Sequence, residues 1–152
     1  ICEKLLDKWR ELNLPVFHIR HSSTNPNSKL NENNPGFDFN ENVLPAENEP
    51  IITKNVNSAF IGTDLKEQLD NSGINTLVIV GITTNHCVST TTRMAGNFGY
   101  ETYLISDATA TFDRIGINGE KYDSETIHLT TLANLNEEFA TVMNYEKLMN
   151  EL

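Results

Sequence analysis

The sequence predicts an α/β fold with three layers, in which helices cover both faces of a mostly parallel, Rossmann-like sheet. Segments with helical spacing of apolar residues alternate with short apolar strands through the whole chain, which is the pattern of α/β domains. The run "NTLVIVG" at 75–81 is almost continuously apolar, and this is typical of a strand buried on both faces of a parallel sheet. The length of 152 residues without an internal repeat indicates a single domain, residues 1–152.

The individual elements follow from the apolar period and from the residues that interrupt it. Leu5, Trp9 and Leu12 recur at helical spacing, and Pro15 cannot continue that helix. Gly73 and Gly99 each close a later helix. The predicted helices cover 1–13, 62–73, 87–98, 123–135 and 145–152. The predicted strands cover 16–19, 49–54, 75–81, 100–108 and 138–144, and the polar stretch 22–48 is a long loop.

The order of these elements leaves one strand unaccounted for. The chain opens with a helix, whereas an open α/β domain normally opens with a strand near the centre of its sheet. We therefore expect a preceding central strand that this sequence does not contain.

Composition and charge restrict the possible partners. The formal net charge of −10 disfavours nucleic acid, whose phosphates require Lys and Arg, and it equally disfavours an anionic membrane surface. No apolar run approaches the length of a membrane span. The first 13 residues carry acidic side chains and no small-residue cleavage site, unlike a signal peptide. Two cysteines do not make a disulfide framework, so we expect reduced thiols and a cytoplasmic protein.

Three residues with chemically reactive side chains lie at the predicted carboxyl ends of strands, where α/β sheets bind their ligands. They are His21, Lys54 and Cys87. A cysteine in the first turn of a helix is favoured as the thiolate, its nucleophilic form, and a nearby ammonium favours it further. Cysteine is also a common buried residue, so the residues alone leave Cys87 as either a nucleophile or a small core residue.

The segment around Cys87 resembles the isochorismatase-like cysteine hydrolase superfamily, which includes nicotinamidases and N-carbamoylsarcosine amidase. The stretch "VIVGITTNHCVSTTTRMAGNFGYETYLISDATATF" carries the motif Gly-x-x-Thr-x-x-Cys as Gly81, Thr84 and Cys87, followed by "SDATA". The resemblance extends from "LPVFHIRH" to "FATVMN". It implies a six-stranded parallel sheet whose first central strand is missing here.

The resemblance also assigns roles to individual residues. It implies a Cys-Lys-Asp triad in which Cys87 is the nucleophile and Lys54 is the lysine. The Asp belongs to the first strand and is therefore absent from this chain. The peptide bond Ile82–Thr83 is expected to be cis, and the backbone N–H groups of Thr83 and Cys87 are expected to form the oxyanion hole.

The function implied is hydrolysis of the C–N bond of a small-molecule amide through a thioester. Members of the family are commonly oligomeric, so a homo-oligomer, dimer or tetramer, is expected. The missing Asp leaves an alternative, a catalytically impaired member that acts as a binding or scaffold protein. Nicotinamidases hold zinc with Asp and His residues in the loop after the second strand, but here that loop contains Asp38 and no histidine. No metal or other cofactor is expected.

Contacts with the substrate are open to more than one interpretation. Phe60 is either a wall of the pocket or a core aromatic. Asn85 and His86 either touch the substrate or cap the helix. For His86 there are two further interpretations, a general base beside the thiol and a residue that faces a pocket wall or solvent. Phe37 and Phe39 lie in an otherwise polar loop, where they form either a lid or part of a subunit interface.

Overall fold

The computed structural model describes all 152 residues, Ile1 to Leu152. The helices are α1 Cys2–Glu11, α2 Leu65–Asn71, α3 Ser89–Asn97, α4 Ser124–Leu135 and α5 Tyr145–Glu151. The strands are β1 His18–His21, β2 Ile51–Lys54, β3 Thr76–Ile82, β4 Glu101–Ala110, β5 Arg114–Ile115, β6 Lys121–Tyr122 and β7 Thr141–Met143. None of the helices is both long enough and apolar enough to span a membrane.

The parallel strands form two separate sheets. One sheet pairs β1 with β2, and the other has the order β3-β4-β7; all of these pairs are parallel. His21 and Lys54 are register partners at the ends of β1 and β2. The short strands β5 and β6 form an antiparallel hairpin that the sequence analysis did not predict.

Helices cover both faces of the sheets, which confirms the predicted α/β architecture. On one face, Leu5 of α1 and Leu148 of α5 pack against Ile105 of β4. On the other face, α4 packs against Leu104, the neighbour of Ile105 in the same strand. Helices α2 and α3 join that second layer and cover β2. Because side chains alternate along a strand, β4 serves both cores with successive residues.

An apolar cleft lies between β1 and β3. Two cavities of about 450 and 290 Å³ occupy it, and both are lined by Trp9, Phe17, Ile19, Val78 and Val80. The expectation that the apolar strand is buried on both faces was wrong, because no residue of β3 is buried and Val80 is 38% exposed. The physical reason is that β3 pairs with β4 only, so its other edge faces the cleft.

The N-terminal strand differs from expectation in its bounds, whereas the stretch 22–48 is a loop as predicted. β1 covers His18–His21, whereas the predicted strand covers 16–19. His21 is therefore the last residue of the strand and does not follow it. The loop at 22–48 is ordered by side-chain turns, in which Asn31 and Asn34 donate to backbone carbonyls of the loop. Glu49 then joins the loop to α1 through a bidentate ion pair with Arg10, with both N···O distances at 2.8 Å.

Candidate active site

Lys54 and Cys87 meet at the carboxyl ends of β2 and β3. The Nζ of Lys54 lies 3.2 Å from the Sγ of Cys87. Lys54 is only 4% exposed, so its charge needs hydrogen-bond partners inside the protein. The ammonium donates to three acceptors, which are Cys87 Sγ, the carbonyl oxygen of Val56 at 2.9 Å and Nδ1 of His21 at 3.1 Å.

His21 is the imidazole partner of this cluster. Burial lowers the pKa of His21 below its usual 6.5, the charge of Lys54 lowers it further, and the Val56 carbonyl opposes both effects. The imidazole is therefore neutral at pH 7 and can accept the hydrogen bond from Lys54.

Cys87 lies in a π-helical turn, Thr84–Val88, that precedes α3. The N–H of Val88 donates to the carbonyl of Thr83 at 3.3 Å, five residues back, which makes the turn wider than an α-helical one. The predicted helix 87–98 therefore starts earlier than expected, at Thr84, and its first turn, which contains Cys87, is π-helical and leads into α3 at Ser89. The peptide bond Ile82–Thr83, immediately before the turn, is cis.

Asn85 and His86 lie in the same turn as Cys87 and bond to other side chains. Thr111 donates its hydroxyl to Oδ1 of Asn85 at 2.6 Å, just after β4. Nδ1 of His86 lies 3.2 Å from the hydroxyl of Thr83, and Nε2 of His86 lies 3.4 Å from Nδ2 of Asn85. His86 makes no hydrogen bond with Cys87, so the contacts give His86 no role as a base for the thiol in this arrangement.

The aromatic candidates have partners within the chain. Phe60 packs edge-on against Phe98 and stacks on Tyr100, with ring centroids 5.3 and 6.1 Å apart. These contacts place Phe60 against the core formed by β2, α2 and α3.

Phe37 and Phe39 pack against side chains of β1. The guanidinium of Arg20 lies 4.4 Å from the ring centroid of Phe37. Phe39 meets the His18 ring edge-on at 5.7 Å. The two rings therefore find burial partners in their own chain.

Two residues of the site region were missed by the sequence analysis. His128 of α4 lies with Nδ1 2.9 Å from the hydroxyl of Thr84, which is completely buried. Oδ1 of Asn57 lies 3.9 Å from Cys87 Sγ. Asn57 follows Lys54 by three positions, which was a usable signal, whereas the contact of His128 spans 44 positions and leaves none in the sequence.

The donor set does not fit a zinc ion. No group of three or more His, Cys, Asp or Glu side chains is placed to hold a metal. The loop after β1 contains the carboxylate of Asp38. The residues on either side of Asp38 in the sequence are Phe37 and Phe39, which cannot bind a metal ion.

Fold and site together define an α/β domain with a cysteine and a buried lysine at the carboxyl ends of parallel strands. The sequence profile of the isochorismatase domain matches residues 1–147. The chain therefore belongs to the isochorismatase family and is a hydrolase of that family.

Individual relatives agree with this assignment. The uncharacterized isochorismatase family protein YrdC of Bacillus subtilis is 51% identical over 97% of this chain and 79% of its own. Nicotinamidase 3 of Arabidopsis thaliana is 30% identical over 97% of this chain and 75% of its own. The crystal structure of an isochorismatase family hydrolase from Chromobacterium violaceum superposes with a TM-score of 0.94 at 39% identity, covering 98% of this chain and 77% of that one.

Proposed function

We propose that the protein hydrolyses the C–N bond of a small amide through a thioester formed on Cys87. The observation that carries the proposal is the 3.2 Å contact between the buried Lys54 ammonium and the sulfur of Cys87. A positive charge at that distance stabilises negative charge that develops on the sulfur as it reacts. The similarity to a nicotinamidase supports an amide as the substrate class.

The reaction proceeds in two displacements. The sulfur attacks the carbonyl carbon, and the electron pair of the C=O bond moves onto oxygen, where the N–H groups of Thr83 and Cys87 hold the oxyanion. The C–N bond then breaks, and the leaving amine or ammonia takes the proton that the thiol released. Water attacks the thioester, the C–S bond breaks, and a carboxylic acid and the free thiol are formed.

The proton transfers need a base that this chain does not place at the site. No Asp or Glu contacts Lys54 or Cys87 among the hydrogen bonds and ion pairs of the structure. We place the missing carboxylate at the end of a β-strand that fills the cleft between β1 and β3. Three features support this placement: the edges of both strands are unpaired on that side, the cleft walls are apolar, and both strands end beside Lys54 and Cys87.

A synthetic peptide tests the placement of that strand. The peptide carries alternating apolar residues and ends in Asp, and the matched control ends in Asn. The Asp peptide is expected to increase amide hydrolysis, whereas the Asn peptide binds without increasing it. Equal effects of the two peptides would contradict a carboxylate in this cleft.

The main experiment measures ammonia release from a panel of small primary amides. Cys87→Ala is expected to abolish turnover, and Cys2→Ser serves as the control because the sulfur of Cys2 bonds to the carbonyl of Ala108 and not to Lys54 or Cys87. Intact mass after rapid quenching is expected to show an acyl adduct on Cys87. Turnover by Cys87→Ala would exclude the covalent mechanism, and amide binding without any turnover would favour the binding-protein alternative.

The working state proposed is a homo-oligomer, a dimer or tetramer, in the cytoplasm. The oligomer is proposed from the family resemblance, and the compartment from the need to keep Cys87 reduced. Light scattering after gel filtration tests the first point, since a mass of 17.1 kDa is that of one chain. Fractionation of the source cells tests the second.

A further inference from the structure

The contact between His21 and Lys54 has no role in the reaction described above. The two residues are register partners at the ends of neighbouring parallel strands. Their side chains meet with Nδ1 of His21 3.1 Å from Nζ of Lys54. The position of the imidazole is therefore set by the strand pairing, which is a rigid part of the fold.

The three protons of the Lys54 ammonium match its three acceptors in number. His21, the Val56 carbonyl and Cys87 each take one of them. An ammonium has no lone pair, so Nδ1 of His21 is the acceptor and cannot carry a proton. The single proton of the neutral ring is therefore on Nε2.

We propose that His21 is a positioning residue which, as the neutral Nε2–H tautomer, holds the Lys54 ammonium against the sulfur of Cys87. The proposal deepens the proposed function, since it rests on Cys87 as the nucleophile. With His21 in place, each N–H of the ammonium has an acceptor within this chain. Without it, one N–H lacks a partner and the ammonium turns away from the sulfur to find one.

Protonation of His21 has the same consequence as its removal. An imidazolium has no acceptor for Lys54, and the two cations repel each other. Lys54 of β2 is the charged group that contacts His21, and Cys87 of the turn contacts Lys54 in its turn. The carboxylate proposed for the cleft between β1 and β3 is a further titratable group beside this cluster. On β1 itself, His18 bonds to Glu49 and Arg20 to Thr53, so neither bonds to this cluster. The lowered pKa of His21 keeps the neutral ring dominant down to mildly acidic pH.

The test compares two substitutions by the rate at which iodoacetamide labels Cys87 at each pH from 5 to 9. In His21→Asn, Oδ1 takes the place of Nδ1 as an acceptor that does not titrate. Its labelling rate is expected to match the wild type at pH 7 and to lose the acid-side inflection that His21 causes. In His21→Leu the acceptor is gone, and labelling at pH 7 is expected to fall about tenfold, because hydrogen bonds to charged groups stabilise by that order. Peptide mapping assigns the label to Cys87 rather than Cys2.

Long-range 1H–15N NMR of the wild-type imidazole provides a second readout. The neutral Nε2–H tautomer is expected for His21, and in Lys54→Met its titration is expected to shift to higher pH. Equal labelling of His21→Leu and wild type, or a proton on Nδ1 at neutral pH, would overturn the inference. Neither readout needs a substrate, so failure of every amide in the panel would count against the proposed function and leave the result for His21 standing.

Discussion

The Nζ of Lys54 lies 3.2 Å from the Sγ of Cys87, although 33 positions separate the two residues in the chain. The contact arises because β2 and β3 end on the same side of the domain, where the turn after β3 carries the cysteine toward the lysine. The proposed attack of the Cys87 sulfur on an amide depends on this contact.

Lys54→Met tests the contribution of the ammonium to thiol reactivity. Methionine fills a similar volume without the charge, so iodoacetamide labelling of Cys87 at pH 7 is expected to slow about tenfold or more. Lys54→Arg is the matched control that keeps the charge but changes the geometry, and an intermediate rate is expected for it. Labelling of Lys54→Met at the wild-type rate would show that the thiol does not depend on the lysine.

Glu49→Gln is expected to destabilise the fold in a pH-dependent way. The hydrogen bond with Arg10 is the largest of the effects that lower the pKa of Glu49 from 4.5 to about 2, and His18 and the N–H of Ala46 also bond to the carboxylate. The folded state therefore prefers the ionised form. Its stabilisation is fully present above pH 4.5 and is lost as the pH falls toward about 2.

Urea unfolding at several pH values measures this effect. At pH 7 the loss for Glu49→Gln is expected to be roughly 1–3 kcal/mol, since the change leaves charged partners unpaired. The difference from wild type should shrink as the pH falls through the window. Glu47→Gln, a change at an exposed acidic residue in the same segment, is the control and should change little. A difference that stays constant down to pH 2 would contradict the role of the ionised carboxylate.

The buried hydroxyl of Thr84 is expected to depend on His128. His128→Leu leaves that hydroxyl without a partner, which costs about 1–3 kcal/mol of the free energy of unfolding. It should also reduce turnover, because Thr84 adjoins Thr83 in the proposed oxyanion hole. His128→Asn keeps an acceptor in the place of Nδ1 and should lose less on both counts.

A double-mutant cycle separates the contact from other effects of His128. Thr84→Val removes the hydroxyl, so adding His128→Leu to it should cost less than His128→Leu costs alone. Additive losses, measured by thermal or urea unfolding, would mean that the 2.9 Å contact contributes nothing to stability.

Gly96→Ala is expected to destabilise the protein despite the higher helix propensity of alanine. A Cβ at this position of α3 would lie 2.6 Å from the carbonyl oxygen of Phe139 and 3.2 Å from its Cα. Because these are backbone atoms, relief requires the helix to shift, and a loss of roughly 1–3 kcal/mol is expected. Asn97→Ala, at the exposed neighbouring position, should be close to neutral. A stabilised Gly96→Ala would mean that α3 can move away from Phe139 at little cost.

The fold was predictable to the extent that local signals define it. The α4 helix shows this well, since its capping residue Asp123, which accepts from the N–H of Thr126, is next to the helix in the sequence. The hairpin of β5 and β6 was not predictable, because its strands are two residues long and too short for a period to appear. The exposure of Val80 was not predictable either, because it depends on which strand lies beside β3.

Some residues of the candidate site could likewise be predicted from the sequence, and others depend on the tertiary structure. Cys87 and Lys54 stand out in the sequence because each ends or follows a strand. His21 was also singled out at a strand end, but its contact with Lys54 depends on the pairing of β1 with β2, which places the two residues opposite each other. The interpretation of Phe60 could not be decided from the sequence, because an aromatic side chain after a strand end can turn either way, and here it meets Phe98 and Tyr100.

The sequence by itself determined the alternation of helices and strands, the family and the identity of the nucleophile candidate. Those properties lie in apolar periods and in a short motif, which are local. The tertiary structure decided that Lys54, His21 and Cys87 form one cluster, that Thr84 depends on His128, and that an apolar cleft separates β1 from β3. Such contacts join residues tens of positions apart, and only the packing of complete elements fixes the distances between them.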